Sequence, residues 1–188
     1  MPSHQGWVQV MEPTPVLDQT KIQPRDEAAF WADGDSPLLA PNAFLDATRF
    51  RLYAQGVGTT ASSNNGGGLT FRLRYSAAGA ATSGVVVASR VFSPSFANSI
   101  TNGMWEAEWK GICRTHGATG TIFAVGEFRS EALFASFASY AATITIPLTA
   151  PAAATIDTTL SRMLVMTASG AASSISFTTS QVELTLRS

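Results

Sequence analysis

RFRLYA at residues 49–54 and LTFRLRY at residues 69–75 decide the fold class. In the first, Phe50, Leu52 and Ala54 fall on one side, and Arg49, Arg51 and Tyr53 on the other. In the second, Phe71, Leu73 and Tyr75 oppose Arg72 and Arg74. Strict alternation of apolar and polar residues is the mark of a half-buried strand, because successive side chains point to opposite faces. The same period continues downstream. Gly84–Phe92 is β-branched. In Met104–Thr115, Trp105, Ala107, Trp109 and Cys113 oppose Glu106, Glu108, Lys110 and Arg114. Thr119–Arg129 follows the turn signal His116-Gly117, and Thr143–Pro147, Leu160–Thr167 and Ser174–Arg187 complete the series. Val182, Leu184 and Leu186 alternate with Gln181, Glu183, Thr185 and Arg187 at its end.

About eight short strands joined by Gly/Ser/Asn-rich links, with no alternating helices, predict an all-β fold: an antiparallel two-sheet sandwich of jelly-roll type. Glu131–Ala141 could form a helical turn presenting Leu133, Phe134 and Phe137. The favoured reading is a loop whose aromatics plug one end of the sandwich. No internal repeat, heptad or Gly-X-Y run is present.

Residues 1–46 differ from residues 47–188. They carry seven of the thirteen acids and six of the nine prolines, which interrupt regular elements. They also carry Trp7, Val8, Val10, Met11, Phe30 and Trp31, and a disordered tail would lack such groups. The division is therefore an extended Pro-rich arm, 1–46, and a β-domain, 47–188. The arm packs on its own domain or on a neighbour, and those six residues are its anchor.

The 188 residues suit one domain, and charged residues make up only 13% with a formal net charge of -1. Many-phosphate binding needs a basic excess, so no nucleic-acid partner is expected. No apolar run approaches the ~20 residues that span a bilayer, and no basic-then-apolar leader opens the chain. Hence no membrane partner is expected. Ala, Ser and Thr supply 70 residues and Lys only two. Such a weakly charged surface suits extensive protein contact, or equally a Thr-rich β-protein.

Candidate chemistry is sparse. Glu106 and Glu108 lie two apart on one strand face, roughly 7 Å between α-carbons, a separation at which paired carboxylates cleave glycosides. The competing reading is a solvated face with cross-strand partners among Arg49, Arg51, Arg72 and Arg74. Those four arginines form one basic stripe if their strands pair. His4 and His116 lack neighbouring ligands, Cys113 reads as a buried inert thiol, and no GxSxG elbow occurs. Asn64–Gly68 is a hairpin tip without the GK[ST] of a phosphate loop. No catalytic residue, metal site or cofactor is expected, and the chain is not read as an enzyme.

Leu38–Pro41 (LLAP), Phe44–Asp46 (FLD), RFRLYAQG, LTFRLRYS, GICRTHGATGT, and the closing ATIDTTLSRMLVMTA with SSISFTTSQVELTL occur in a fixed order. Over roughly residues 38–188 the chain resembles a family of small virion structural proteins of tailed bacteriophages, of the capsid cement or decoration type. The resemblance implies a jelly-roll-like domain and a place in the particle, and it implies no catalytic residues. The expectation is a decoration protein that binds and stabilises the outer capsid shell as a homotrimer. Its partners would be the major capsid protein and its own copies. It would be made in the host cytoplasm and located on the virion surface. A tail-fibre or baseplate component, including a receptor-binding head, is the alternative. A carbohydrate-active enzyme resting on Glu106 and Glu108 is the third reading.

Overall fold

The computed structural model describes residues 8–15, 26–31, 35–61, 69–92, 97–130, 132–133, 143–147, 152–170 and 175–187, the first stretch through its backbone alone. The described strands are β1 (Val8–Pro15), β2 (Ala28–Ala29), β3 (Leu38–Leu39), β4 (Arg49–Thr60), β5 (Leu69–Ser76) and β6 (Val85–Phe92). They continue with β7 (Gly103–Thr115), β8 (Gly120–Arg129), β9 (Thr143–Ile146), β10 (Ala154–Ile156), β11 (Arg162–Gly170) and β12 (Ile175–Arg187). One sheet runs β1-β12-β4-β7-β8-β10, with β9 also on β8. The other runs β2-β11-β5-β6, with β3 also on β11. All ten pairings are antiparallel.

The two sheets close over a single buried cluster, so the expected antiparallel sandwich is present. Against the eight strands of a jelly roll, the sheets hold seven and five. The alternation reads through directly: Phe50, Leu52 and Ala54, Trp105, Ala107 and Trp109, and Phe71, Leu73 and Tyr75 all face inward. β11 is buried on both faces from Met163 to Ala168, which is why RMLVMTA reads as a continuous apolar run.

Aromatic rings join the sheets. Phe71 of β5 stacks on Phe128 of β8 at 4.7 Å, and Trp105 stacks on Phe128 at 5.5 Å. Phe30 enters this group with centroids 5.1 Å from both Trp105 and Phe177. Its backbone N–H donates to Met166 O of β11 at 3.0 Å, and its carbonyl accepts from Thr179 Oγ1 of β12. Phe30 thus bridges the sheets through its backbone and fills the space between them with its ring.

This placement puts part of the segment 1–46 on its own domain, one of the two placements open to it. Phe30 and Trp31 are 1% and 3% exposed, so they anchor the chain to its own core and are closed to another protein. Leu39 and Phe44 are equally buried, and β2 and β3 pair with β11. Residues 26–31 and 35–46 pack on the sandwich itself. The reason is physical: an apolar residue between prolines can complete a core as well as reach out from one. Val8, Val10 and Met11 lie on β1, whose backbone pairs with β12 opposite Arg187, Thr185 and Leu184. Trp7 is outside the described residues, as are Phe134 and Phe137; Leu133 is fully buried.

Glu27 locks the same segment from outside. Its carboxylate takes a two-pronged contact from Arg74 (Nε 2.5 Å, Nη2 2.7 Å), a hydrogen bond from Thr167 Oγ1 at 2.5 Å, and Arg72 Nη1 at 3.4 Å. Partial burial alone would raise this carboxyl. The Arg74 and Thr167 hydrogen bonds and the two guanidinium charges outweigh burial and hold it below its ordinary value.

Two outcomes follow from this segment. Phe30→Ala should cost about 3–5 kcal/mol in denaturant unfolding, against roughly 0.5 kcal/mol or less for Val125→Ala on the outer face. Because the folded pKa of Glu27 is depressed, its stabilisation is present above the ordinary range, about 4.3, and is lost as pH falls through the folded value. Glu27→Gln should therefore lower the melting temperature at neutral pH, and the gap to the wild type should narrow below about pH 4. A constant gap across pH would refute the ionic assignment.

Candidate functional site: a hydrogen-bonded loop cluster and the outer face of the larger sheet

Three turns meet at one end of the sandwich: residues 42–48, 115–120 and 157–160. Asn42 N–H donates to Thr158 O at 2.7 Å, and Thr158 N–H donates to Gly117 O at 3.1 Å. Gly117 N–H donates back to Thr158 Oγ1 at 2.8 Å. Ala47 N–H donates to Cys113 O and Cys113 N–H to Thr48 O, both at 2.8 Å. Asp46 Oδ1 accepts from the His116 N–H at 2.8 Å and lies 2.9 Å from His116 Nδ1. The hydrogen bonds from the His116 ring and backbone hold the Asp46 carboxyl below its ordinary range. Tyr75 OH donates to Asp157 O at 3.2 Å from beneath, and burial pushes its phenol up to about 12.

The backbone here is held in rarely occupied conformations. Gly117 has φ of 110°, open to glycine at little cost, but Asn42 and Ala47 also have positive φ, at 59° and 65°. Such residues persist where the surroundings over-determine them, and here each donates a backbone bond across the cluster. The turns display Leu45 and Leu160, each roughly half exposed (48% and 42%), and Leu38 of the adjoining β3 is 51% exposed. The Leu39–Arg162 pairing and Ser161 Oγ donating to Leu39 O tie β3 to the start of β11.

Glu106 and Glu108 lie on the outer face of the larger sheet, as their spacing predicts. Each is tied down. Glu108 contacts Arg51 and, at 2.7 Å, Lys110 Nζ. Glu106 accepts from Arg129 Nη1 at 3.2 Å and Tyr53 OH at 3.3 Å, and Arg129 also pairs with Glu127. Burial would raise the Glu108 carboxyl, but hydrogen bonds from Lys110 and Arg51 carry it below its ordinary value. A glycosidase acid needs the opposite shift. The hollow between the two carboxylates, about 110 Å³, is smaller than the ~300 Å³ of ligand pockets. A larger hollow of about 560 Å³ runs from Gln55 and Glu106 past Met104 to Ile100, and its walls are mainly apolar.

The four-arginine stripe does not form. β4 and β5 lie in different sheets, so Arg49 and Arg51 are on one side of the sandwich and Arg72 and Arg74 on the other. Period two tells which face a residue takes and says nothing of the strand beside it. Arg51 reaches Glu108 as one of the anticipated cross-strand partners. Arg129 and Glu27, which hold Glu106 and the N-terminal segment, had no signal in the pattern. Cys113 is buried, with burial and then the Asp46 charge pushing its thiol up and its Sγ 3.2 Å from Thr115 O. Among the described residues, no three His, Cys, Asp or Glu side chains gather as metal ligands. His4 lies outside them. No described helix is long and apolar enough to cross a membrane.

Set beside known proteins, the chain matches no family model and has no significant match among curated proteins.

Thr158→Val would leave the Gly117 N–H without its acceptor in a site where Thr158 is 1% exposed. It should cost about 1–3 kcal/mol. Amide exchange at Gly117 and Asn42 should accelerate more than at Leu52 in β4, and equal acceleration would mean that the cluster is no separate unit.

Proposed function

We propose that this protein is a structural component of a tailed-bacteriophage particle, a decoration or cement protein that binds the outer capsid shell as a trimer. One observation carries the reading. Sequence pieces that resemble this family, the neighbouring LLAP and FLD, GICRTHGATGT and TIDTTLS, come from three separate stretches of the chain and converge on the hydrogen-bonded end of the sandwich. What they build there is a stiff surface of turns presenting leucines. That chemistry suits apolar contact between proteins: leucine side chains gain from leaving water, and turns already fixed lose little entropy on docking.

The remaining arm residues fit the same role. With Phe30 and Trp31 assigned to the core, the anchor candidates are Val8, Val10 and Met11, on the outermost strand of the larger sheet, and Trp7, outside the described residues. Repeated over three copies, modest contacts of this kind add by multivalency. The major capsid protein and further copies of this chain are the partners, on the outside of the virion after synthesis in the host cytoplasm. No catalytic role is proposed, because Glu106 and Glu108 are paired with cations.

The test is the copy number of this chain in purified particles, by quantitative mass spectrometry against the shell subunit. A fixed ratio across the shell lattice is the expected result. A few copies in multiples of three or six would move the protein to the tail or baseplate, and absence would overturn the virion reading.

A further inference from the structure

The outer face of the larger sheet is sorted by charge along its length. Its registers give four successive cross-strand rows: Arg187–Arg49–Ile112–Phe123, then Thr185–Arg51–Lys110–Val125, then Glu183–Tyr53–Glu108–Glu127, then Gln181–Gln55–Glu106–Arg129. The last two rows carry four carboxylates, Glu183, Glu108, Glu127 and Glu106, against one cation, Arg129, whereas the first two carry four cations and no carboxylate.

Arg187 and Arg49 stand directly opposite each other, and so do Arg51 and Lys110. Like charges facing across a ladder destabilise a sheet. Among the described residues, one carboxylate serves these four cations: Glu108, from the next row, bonded to Arg51 and Lys110. Arg49 and Arg187 have no carboxylate within ion-pair distance there. The chain as a whole is formally -1, so an unbalanced cationic end is a local arrangement and no reflection of overall charge.

The surface is also shaped. A hollow of about 400 Å³ lies among Arg49, Arg51, Lys110, Thr185 and Arg187. It adjoins a second, of about 340 Å³, walled by Ile112, Phe123 and Val125. Both pass over Gly111, where the Phe50 ring occupies the space of a Cβ. The Arg114 guanidinium lies 4.1 Å over the Phe123 ring and adds a fifth cation at the apolar side. Cations and apolar walls are therefore contiguous.

We propose that this cationic, partly apolar end of the outer face is the docking surface for an acidic peptide segment of a partner protein. The segment's carboxylates would meet Arg49 and Arg187, and its apolar side chains would meet Ile112 and Val125. A single-stranded nucleic acid fits less well. It would want exposed rings for base stacking, and the Phe123 face is already taken by Arg114. That the partner is the capsid shell subunit rests on the function proposed above; the surface itself does not.

The full chain is titrated with a short fluorescent peptide of alternating Glu and Leu, and separately with an oligothymidylate of equal charge, at low and physiological ionic strength. The wild type should bind the peptide, and salt should weaken it, since exposed charges are screened. The double variant R49E/R187E, confirmed folded by its circular dichroism, should bind about tenfold or more weakly, with Arg49→Gln plus Arg187→Gln between the two. Absence of peptide binding, an unchanged affinity in R49E/R187E, or tighter binding of the oligonucleotide would each overturn the inference. Peptide binding lost in R49E/R187E, by a chain absent from particles, would uphold the surface and sink only the capsid assignment.

Discussion

The contact on which the sandwich depends is made by Phe30. Its N–H is bonded to one sheet and its carbonyl to the other, through Met166 and Thr179, while its ring lies among Phe71, Trp105, Phe128 and Phe177. No disulfide cross-links the two sheets, the sole cysteine being free. Their association rests on buried apolar surface at about 25 cal/mol per Å² and on rings meeting across the gap. Removing the Phe30 ring would leave a void that β5, β8 and β12 could only partly close. The Glu27 clamp three residues earlier fixes how the segment approaches. An acid in a Pro-rich stretch thus serves the core from outside it.

The loop cluster inherits its rigidity from that core. β4, β7 and β11 carry the turns outward, and Tyr75 and Thr158 tie them from below and within. Left-handed conformations at Asn42 and Ala47 cost of order 1 kcal/mol each, and the cross-turn hydrogen bonds of both residues offset that cost. Flexible turns would present the same leucines at a far greater entropic loss on binding. Strain and exposure at one place therefore make sense together when the end of the sandwich is a contact surface.

Much of this was legible in the chain. Alternation at Phe50, Leu52 and Ala54, at Phe71, Leu73 and Tyr75, and at Trp105, Ala107 and Trp109 gave the strands and their inward faces. Physical limits set what was not. β2 and β3 are two residues each and carry no period. β1 includes Pro13 and Pro15, which argue against a strand until it is seen to be outermost. Which strands adjoin is a long-range matter, so Arg49 and Arg72 could share a face parity and still lie on opposite sides of the molecule. The loop cluster was visible only as scattered family-like pieces. Its coherence comes from hydrogen bonds between turns more than forty residues apart, such as Gly117 to Thr158.

The sheet edges bear on how any partner can be held. An open edge invites another strand. Among the described residues the larger sheet ends on β1, whose Pro13 and Pro15 offer no N–H, and on β10 and β9, of three and four residues. The smaller sheet ends on β2 and β3, of two residues each, and on β6, where Arg90 reaches across to Thr145 O of β9 at 2.5 Å. The strands of two to four residues offer little edge for backbone pairing, and Pro13 and Pro15 blunt one end of β1. Side chains offer two further surfaces: the leucines at one end and the charged rows of the outer face. Such contacts are separable, the first insensitive to salt and the second strongly weakened by it. A particle-bound chain using both would loosen in salt without leaving, whereas one held by the charged face alone would wash off.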